Sequence, residues 1–150
     1  MNHPKISVIT PSYNQGPFIE ETIRSVLEQG YPNLEFSIFD GGSTDRTVEI
    51  LEKYRAQLTF WRSERDNGQA AAINEGFQLA TGDILCWLNS DDLHCANTLL
   101  TVSGLLVACL DQPVVVYGGC EMFDNRTHKK TVRPPVAFNR DLLETADFLD

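Results

Sequence analysis

The chain has 150 residues, 42% of them hydrophobic and 22% charged, with a formal net charge of −9. This is ordinary globular composition at the length of one domain, with room for a real core. Residues 66 to 125 contain Asp66, Glu75, Asp83, Asp91, Asp92, Asp111, Glu121 and Asp124 but no Lys or Arg, so this segment alone carries −8 of the net −9 and makes a poor partner for the phosphates of nucleic acid.

Lys5 to Thr10 is a β-branched run that Pro11 should stop, which predicts the first strand. Phe18, Ile19, Thr22, Ile23, Val26 and Leu27 form a helical stripe with Glu20, Glu21, Arg24 and Glu28 on the other face, and Gly30 and Pro32 end it. Leu34 to Asp40 reads as the second strand, followed by Gly41-Gly42-Ser43-Thr44-Asp45, a turn rich in residues that tolerate unusual dihedrals or cap helices. Val48, Ile50, Leu51 and Tyr54 mark the next helix and Leu58 to Trp61 the third strand. After the turn at Asp66-Asn67-Gly68 comes an alanine-rich helix from Gln69 to Ala80 that can lie close to a sheet.

Ile84 to Leu88 is an apolar run suited to a strand buried on both faces, and it ends abruptly in Asn89-Ser90-Asp91-Asp92. Leu93 to Leu110 has no charged side chain over 18 residues, the lower limit for a bilayer span. His94, Asn97, Thr98, Thr101, Ser103 and Gly104 within it favour a buried helix instead. Val114 to Tyr117 is the expected fifth strand, and Arg126 to Pro135 reads as a basic, loop-rich stretch whose charges are solvated or meet anionic lipid. Strands alternating with helices argue for an α/β, Rossmann-like, mostly parallel sheet with helices on both faces.

Cys86, Cys95, Cys109 and Cys120 include no C-x-x-C pair, which predicts buried free thiols in a reducing cytoplasm. Met1 to Lys5 runs into a strand without a signal-peptide apolar region, so a cytoplasmic location is expected.

Polar residues collect where the strands end: Thr10 to Asn14, Asp40, Ser63 to Gly68, and Asp91-Asp92. Ligands of open α/β sheets bind outside the carboxyl ends of the strands. Two readings of Asp91-Asp92 stand side by side: a helix N-cap, or a pair of carboxylates whose repulsion a hard cation such as Mg²⁺ or Mn²⁺ relieves. The charge count favours the cation, which would let an acidic edge hold a phosphorylated small molecule. Asp45 reads as a helix cap, and Asp66 either caps the helix from Gln69 or faces a ligand. Trp61 and Trp87 are expected in the core, Arg65 in solvent, and His94 outside the site.

The succession Ile9-Thr10-Pro11-Ser12-Tyr13-Asn14, Asp40-Gly41-Gly42-Ser43-Thr44-Asp45-Arg46-Thr47, Asn74-Glu75-Gly76 with Ala80-Thr81-Gly82-Asp83, and Leu88-Asn89-Ser90-Asp91-Asp92 resembles the family 2 glycosyltransferases of GT-A fold over roughly residues 5 to 125. The resemblance implies transfer of a sugar from a nucleotide-diphosphate donor, UDP- or GDP-type, to the hydroxyl of a glycan or lipid-linked glycan, with inversion, in cell-surface polysaccharide or glycoconjugate synthesis. It implies that Thr10, Pro11, Tyr13, Asp40, Asp66 and Asp91 bind the nucleotide sugar, with Pro11 and Tyr13 flanking the base and Asp40 reaching the base or ribose. Asp91 and Asp92 fall on its DxD-type motif, which holds the ribose and Mg²⁺ or Mn²⁺. It also implies a donor-binding domain over 1–125 and the start of an acceptor-binding region over 126–150, with the catalytic base beyond Asp150 and the enzyme at the inner face of the membrane.

Two departures stand out. Asp40 is followed by Gly41 where many relatives have a second acid, and the first position of the metal motif is Asn89 rather than Asp. Two other functions compete: a non-catalytic nucleotide-sugar binding module, and a nucleotidyltransferase of related topology. Against the latter, Pro11 to Gly16 lacks the basic glycine-rich loop such enzymes carry.

Overall fold

A computed structural model describes residues 3–111, 113–124 and 126–135 and divides into two compact units, Met1–Val114 and Val115–Asp150. In the first unit β1 (Ile6–Ser12), β2 (Leu34–Asp40), β3 (Phe60–Ser63) and β4 (Ile84–Trp87) form one parallel sheet in the order β3-β2-β1-β4. The helices α1 (Ile19–Leu27), α2 (Thr47–Tyr54), α3 (Gln69–Leu79) and α4 (Thr98–Leu106) connect and cover it.

β1 is paired on both sides and buried at every residue. Its side chains alternate between two apolar layers. Ile6 and Val8 join Phe36 and Ile38 of β2 beneath Ile19, Ile23 and Val26 of α1, Ile50 and Leu51 of α2, and Leu99 of α4. Ile9 and Phe39 point the other way, against Ala72 of α3. This is the expected α/β sheet with helices on both faces. The absence of a side chain at Gly76 lets α3 approach: a Cβ there would run into Ile9 Cγ2 and come within 3.0 Å of Phe39 Cε2.

β1 continues through Pro11, which the sequence pattern treats as its stop. Leu88 N donates to Ile9 O, and Gly41 N donates to Ser12 O, so odd-numbered backbone groups face β4 and even-numbered ones face β2. Pro11 therefore faces β4, whose pairing has already ended at Ile9↔Trp87, and its missing N–H breaks no ladder bond. The third strand likewise lies two residues later than expected, because the ladder with β2 begins at Ser37↔Phe60.

β4 is not buried on both faces. Leu85 and Trp87 are about half exposed, at 46% and 52%. Among the described residues β4 pairs only with β1, and the ring nearest Trp87 is Phe77 of α3, edge-on at 6.4 Å. Trp87 is therefore not a core residue, whereas Trp61 is half-buried against the larger core cluster. The long helix expected over 93–110 shrinks to Thr98–Leu106, in which only Leu99 and Ser103 are buried. It starts late because residues 93–97 are held as a loop, with Asn97 in the left-handed region at φ 64°. No described helix is long and apolar enough to cross a membrane.

Residues 113–119, including the expected strand at Val114 to Tyr117, have no regular structure, and no described strand pairs with them. The second unit instead contains an antiparallel hairpin, β5 (Cys120–Asp124) and β6 (Lys129–Arg133), the second strand of which falls in the stretch read as loop. Asp124 closes its turn by accepting from Arg126 N and Thr127 N, and Lys130 pairs with Glu121 across the strands at 2.6 Å. Cross-strand pairing gives these charges partners that a linear pattern does not show. The four cysteines are free but less buried than expected. Cys95 and Cys120 are exposed, Cys86 and Cys109 half-buried, and burial pushes the Cys86 thiol up to about 11.

At the edge opposite the site, Thr81-Gly82-Asp83 ties β4 to its neighbours. Glu35 Oε2 accepts from Ser7 Oγ at 3.0 Å, Thr81 N at 3.1 Å and Thr81 Oγ1 at 2.8 Å, while Gly82 N donates to Ser7 Oγ and Lys5 N to Asp83 Oδ2. Burial opposes ionisation of Glu35, but the bonds from Thr81 and Ser7 and the nearby Lys5 ammonium outweigh it and hold the carboxyl below its ordinary 4.5.

Gly76→Val should cost about 2–3 kcal/mol by overpacking against Ile9 and Phe39, measured by urea denaturation; an unchanged midpoint would show that α3 does not sit this close to the sheet. A depressed carboxyl stabilises above its unfolded value and loses that contribution as pH falls through the folded one. Thr81→Val should therefore destabilise by about 1–3 kcal/mol at pH 7, with the difference shrinking below pH 4.5; a gap that stays constant to acid pH would exclude Glu35 as the partner concerned.

Candidate functional site

The chain steps outward from β1 to β2 and β3, then returns past β1 to β4, so the strand order reverses between β1 and β4. Loops leaving the strands diverge at such a switch point and open a crevice. A cleft of about 780 Å³ lies there. Pro11, Ser12 and Tyr13 line it from the end of β1, Gly41 and Gly42 from the end of β2, Arg65, Asp66 and Gly68 from the β3–α3 connection, Gln69 from the start of α3, and Asn89, Ser90 and Asp91 from the end of β4.

Asp40 forms the foundation rather than the lining. It is fully buried, and its carboxylate accepts four bonds: Oδ2 from Ser43 N at 2.8 Å, Gly42 N at 3.2 Å and Ser63 Oγ at 2.6 Å, and Oδ1 from Ser43 Oγ at 2.5 Å. These bonds level the ends of β2 and β3 and fold the turn so that Gly41 and Gly42 face the cleft. Gly42 adopts φ 84°, which suits glycine, and a Cβ there would press on Arg65 N at 3.2 Å. Thr10 is buried beneath the site, and its Oγ1, like Ser12 Oγ at the cleft wall, has no hydrogen-bond partner among the described residues.

The first-strand motif and the turn after β2 are stitched together. Asn14 N donates to Ser43 Oγ, Thr44 N to Asn14 Oδ1, and Gly16 N to Asp45 Oδ2. Asp45 Oδ1 accepts from Thr47 N and Oγ1 at the start of α2, the structural role expected of it. Asp66 does not cap α3, whose N-cap is Gly68 without a side-chain cap bond; its Oδ1 accepts from Gly68 N in a turn before the helix, and the residue lines the cleft. Tyr13 is 60% exposed over the opening.

The family model for Glycosyl transferase family 2 matches residues 7–145. The chain belongs to glycosyl transferase family 2. It is 30% identical over 146 residues to an uncharacterized glycosyltransferase of Rickettsia typhi, covering 97% of this chain and 46% of that protein. Two solved structures share its fold. S. aureus TarS 1-349 in complex with UDP-GlcNAc has TM-score 0.63 and 30% identity, over 69% of this chain and 31% of that one. The mannosyltransferase PcManGT from Pyrobaculum calidifontis, in complex with GDP-Man and Mn²⁺, has TM-score 0.63 and 32% identity, over 79% of this chain and 35% of that one. The 150 residues thus span about half the length of the Rickettsia relative and about a third of these solved chains.

In this family 2 chain the acidic doublet sits in a loop, residues 88–97, laced to α1. Thr22 Oγ1 donates to Ser90 O at 3.0 Å, His94 N donates to Ser25 Oγ at 3.1 Å, and Gln29 Nε2 donates to Cys95 O at 3.0 Å. Residues 22 and 25 share one face of α1 and Gln29 follows just beyond its C-terminus, so three polar side chains hold the loop by its backbone. Neither acid caps a helix: α4 begins six residues after Asp92 and has no side-chain cap. His94 is half-buried and its Nε2 has no partner; burial lowers its pKa.

Asp91 and Asp92 are exposed residues, yet partial burial of the Asp92 carboxyl, then the Asp91 charge, raises its pKa against a bond from Asn89. Among the described residues no three His, Cys, Asp or Glu side chains converge, so these residues offer a cation the Asp91 and Asp92 carboxylates and no third such ligand. That fits an open Mg²⁺-type site, in which one or two carboxylates and substrate phosphates share the ion. Arg65 is exposed, as expected, and also lines the cleft wall, so the site is not without a cation of its own. Arg62, on β3, carries no signal in the motif pattern. It forks onto Glu75 of α3 at 3.0 and 2.6 Å and lies over the Phe39 ring at 5.4 Å, holding β3 to α3 beside the loop that bears Arg65 and Asp66.

Thr22→Val keeps the shape of α1 but strands Ser90 O, and should cost about 1–3 kcal/mol in chemical denaturation. Thr22→Ser, which keeps the donor, should recover most of it; equal losses in the two variants would show that the methyl group, not the bond, matters.

Proposed function

We propose that this chain is the donor-binding portion of a metal-dependent glycosyltransferase, which transfers a sugar with inversion from a nucleotide diphosphate to a hydroxyl acceptor. The observation that carries this reading is the convergence of Pro11, Tyr13, Asp66 and Asp91 on one switch-point cleft, with the carboxylate of Asp92 beside it. The nucleotide-sugar complexes of the two structural neighbours support it. Pro11 and Tyr13 flank the base. Asp40, its carboxylate filled by four internal bonds, acts on the nucleoside by presenting Gly41 and Gly42. Asp91 and Asp92 hold Mg²⁺ or Mn²⁺, and Asp91 also meets the ribose.

The physical argument is one of charge. As the bond to the anomeric carbon breaks, negative charge grows on the departing diphosphate, and donors already aimed at it lower the barrier. A divalent cation bound at Asp91-Asp92 supplies that stabilisation as a Lewis acid. Arg65 contributes a second, weaker positive charge, and Pro11 and Tyr13 orient the nucleoside. The acceptor hydroxyl needs a general base, which we place on the acceptor-binding region beyond the residues described. Residues 1–125 constitute the donor-binding domain and residues 126–150 begin the acceptor-binding one.

Calorimetry with UDP and GDP tests the shared premise. At least one of them should bind more tightly in Mn²⁺ than in EDTA. An Asp91→Ala, Asp92→Ala double variant should reduce that gain at least about tenfold. Binding indifferent to metal, or untouched in the double variant, would sink the proposal.

A further inference from the structure

Asn89 occupies the first position of the acidic motif, and its side chain is already engaged on both sides. Its Oδ1 accepts from Gln69 Nε2 at 2.7 Å, and its Nδ2 donates to Asp92 Oδ2 at 3.3 Å. Gln69 is the first residue of α3, so a continuous chain of hydrogen bonds joins the helix to a carboxylate of the doublet across two walls of the cleft.

The direction of this chain follows from its chemistry. An ionised carboxylate only accepts, so Asp92 requires the amide nitrogen of Asn89; the amide oxygen then faces Gln69, which must present its own nitrogen. Asparagine is suited to the middle position because it accepts at one atom and donates at another. An aspartate there would face Asp92 with no proton between them and add a third negative charge to a loop where two already repel.

We propose that Gln69 is a positioning residue for the cation site: through Asn89 it holds the Asp92 carboxylate in its binding orientation, and Asn89 serves as a relay rather than as a ligand. This rests on the metal-dependent reading above. The anchor of the relay is firm, because α3 is seated on the sheet through Ala72 and Gly76 and forked to β3 by Glu75 and Arg62. Hydrogen-bonded groups behind metal ligands are worth tenfold or more in affinity because they limit the orientations the ligand explores. The substitution of Asn for an acid is therefore not simply a lost ligand but a change of role, from touching the ion to aiming the residue that does.

The test is the ratio of UDP affinities, and separately of GDP affinities, measured by calorimetry on the 150-residue chain in saturating Mn²⁺ and in EDTA. Gln69→Met and Asn89→Ala should each lower that ratio about tenfold, and together lose no more than either alone, because both cut the same chain. Gln69 is exposed, so the Met variant should melt with the unaltered protein. A ratio of one in the unaltered chain removes the cation reading, and the relay with it. A large ratio that Gln69→Met leaves untouched removes the relay alone. Additive losses would make Asn89 an independent ligand and likewise overturn it.

Discussion

A carboxylate sealed from water must be saturated with hydrogen bonds, and Asp40 is both sealed and saturated. An isolated buried charge would cost several kcal/mol, so the chain around Asp40 has little freedom. Its four donated bonds come from Gly42, Ser43 and Ser63, two segments far apart in sequence that must arrive together. The register Ser12↔Asp40↔Ser63 then brings three strand ends level. The cleft wall at Gly41-Gly42, and the start of the loop bearing Arg65 and Asp66, take their places from that level edge.

The other wall is held from two directions. Thr22 and Ser25 of α1 and Gln29 just after it grip the backbone of the loop after β4, and Gln69 of α3 reaches its side chains through Asn89. Such lacing offsets a local conflict. Partial burial of Asp92, and then repulsion from Asp91, raise its pKa against the single bond from Asn89. A stability-optimised loop would not place two acids there; sites that await a charged partner commonly break such local rules.

Some elements were legible because their physics is local. The apolar stripe of α1, the strand from Leu34 to Asp40 and the helix from Gln69 lie where periodicity puts them, within a residue or two. The four polar strand ends do converge on one edge, as a parallel sheet requires. Others depended on neighbours. Pro11 belongs to β1 because β4 stops short of it, Trp87 is exposed because β4 has one described partner, and β6 exists because β5 pairs with it. Thr22 looked like part of an apolar face and is a donor to Ser90, and Arg62 sat in no motif yet fastens two elements.

By itself, then, the sequence determined the α/β class, the order of strands and helices from β1 to α4, and the family to which the motifs belong, because side-chain periodicity and turn chemistry act over a few residues. Only the tertiary structure decided what each motif residue does. It turned Asp40 inward as a foundation, set Asp66 and Arg65 on the cleft wall, and occupied Asn89 with Gln69 and Asp92. The reason is physical: a polar atom's role depends on which donors, acceptors and solvent surround it, and those partners lie up to 78 residues away in sequence, as for Lys5 and Asp83.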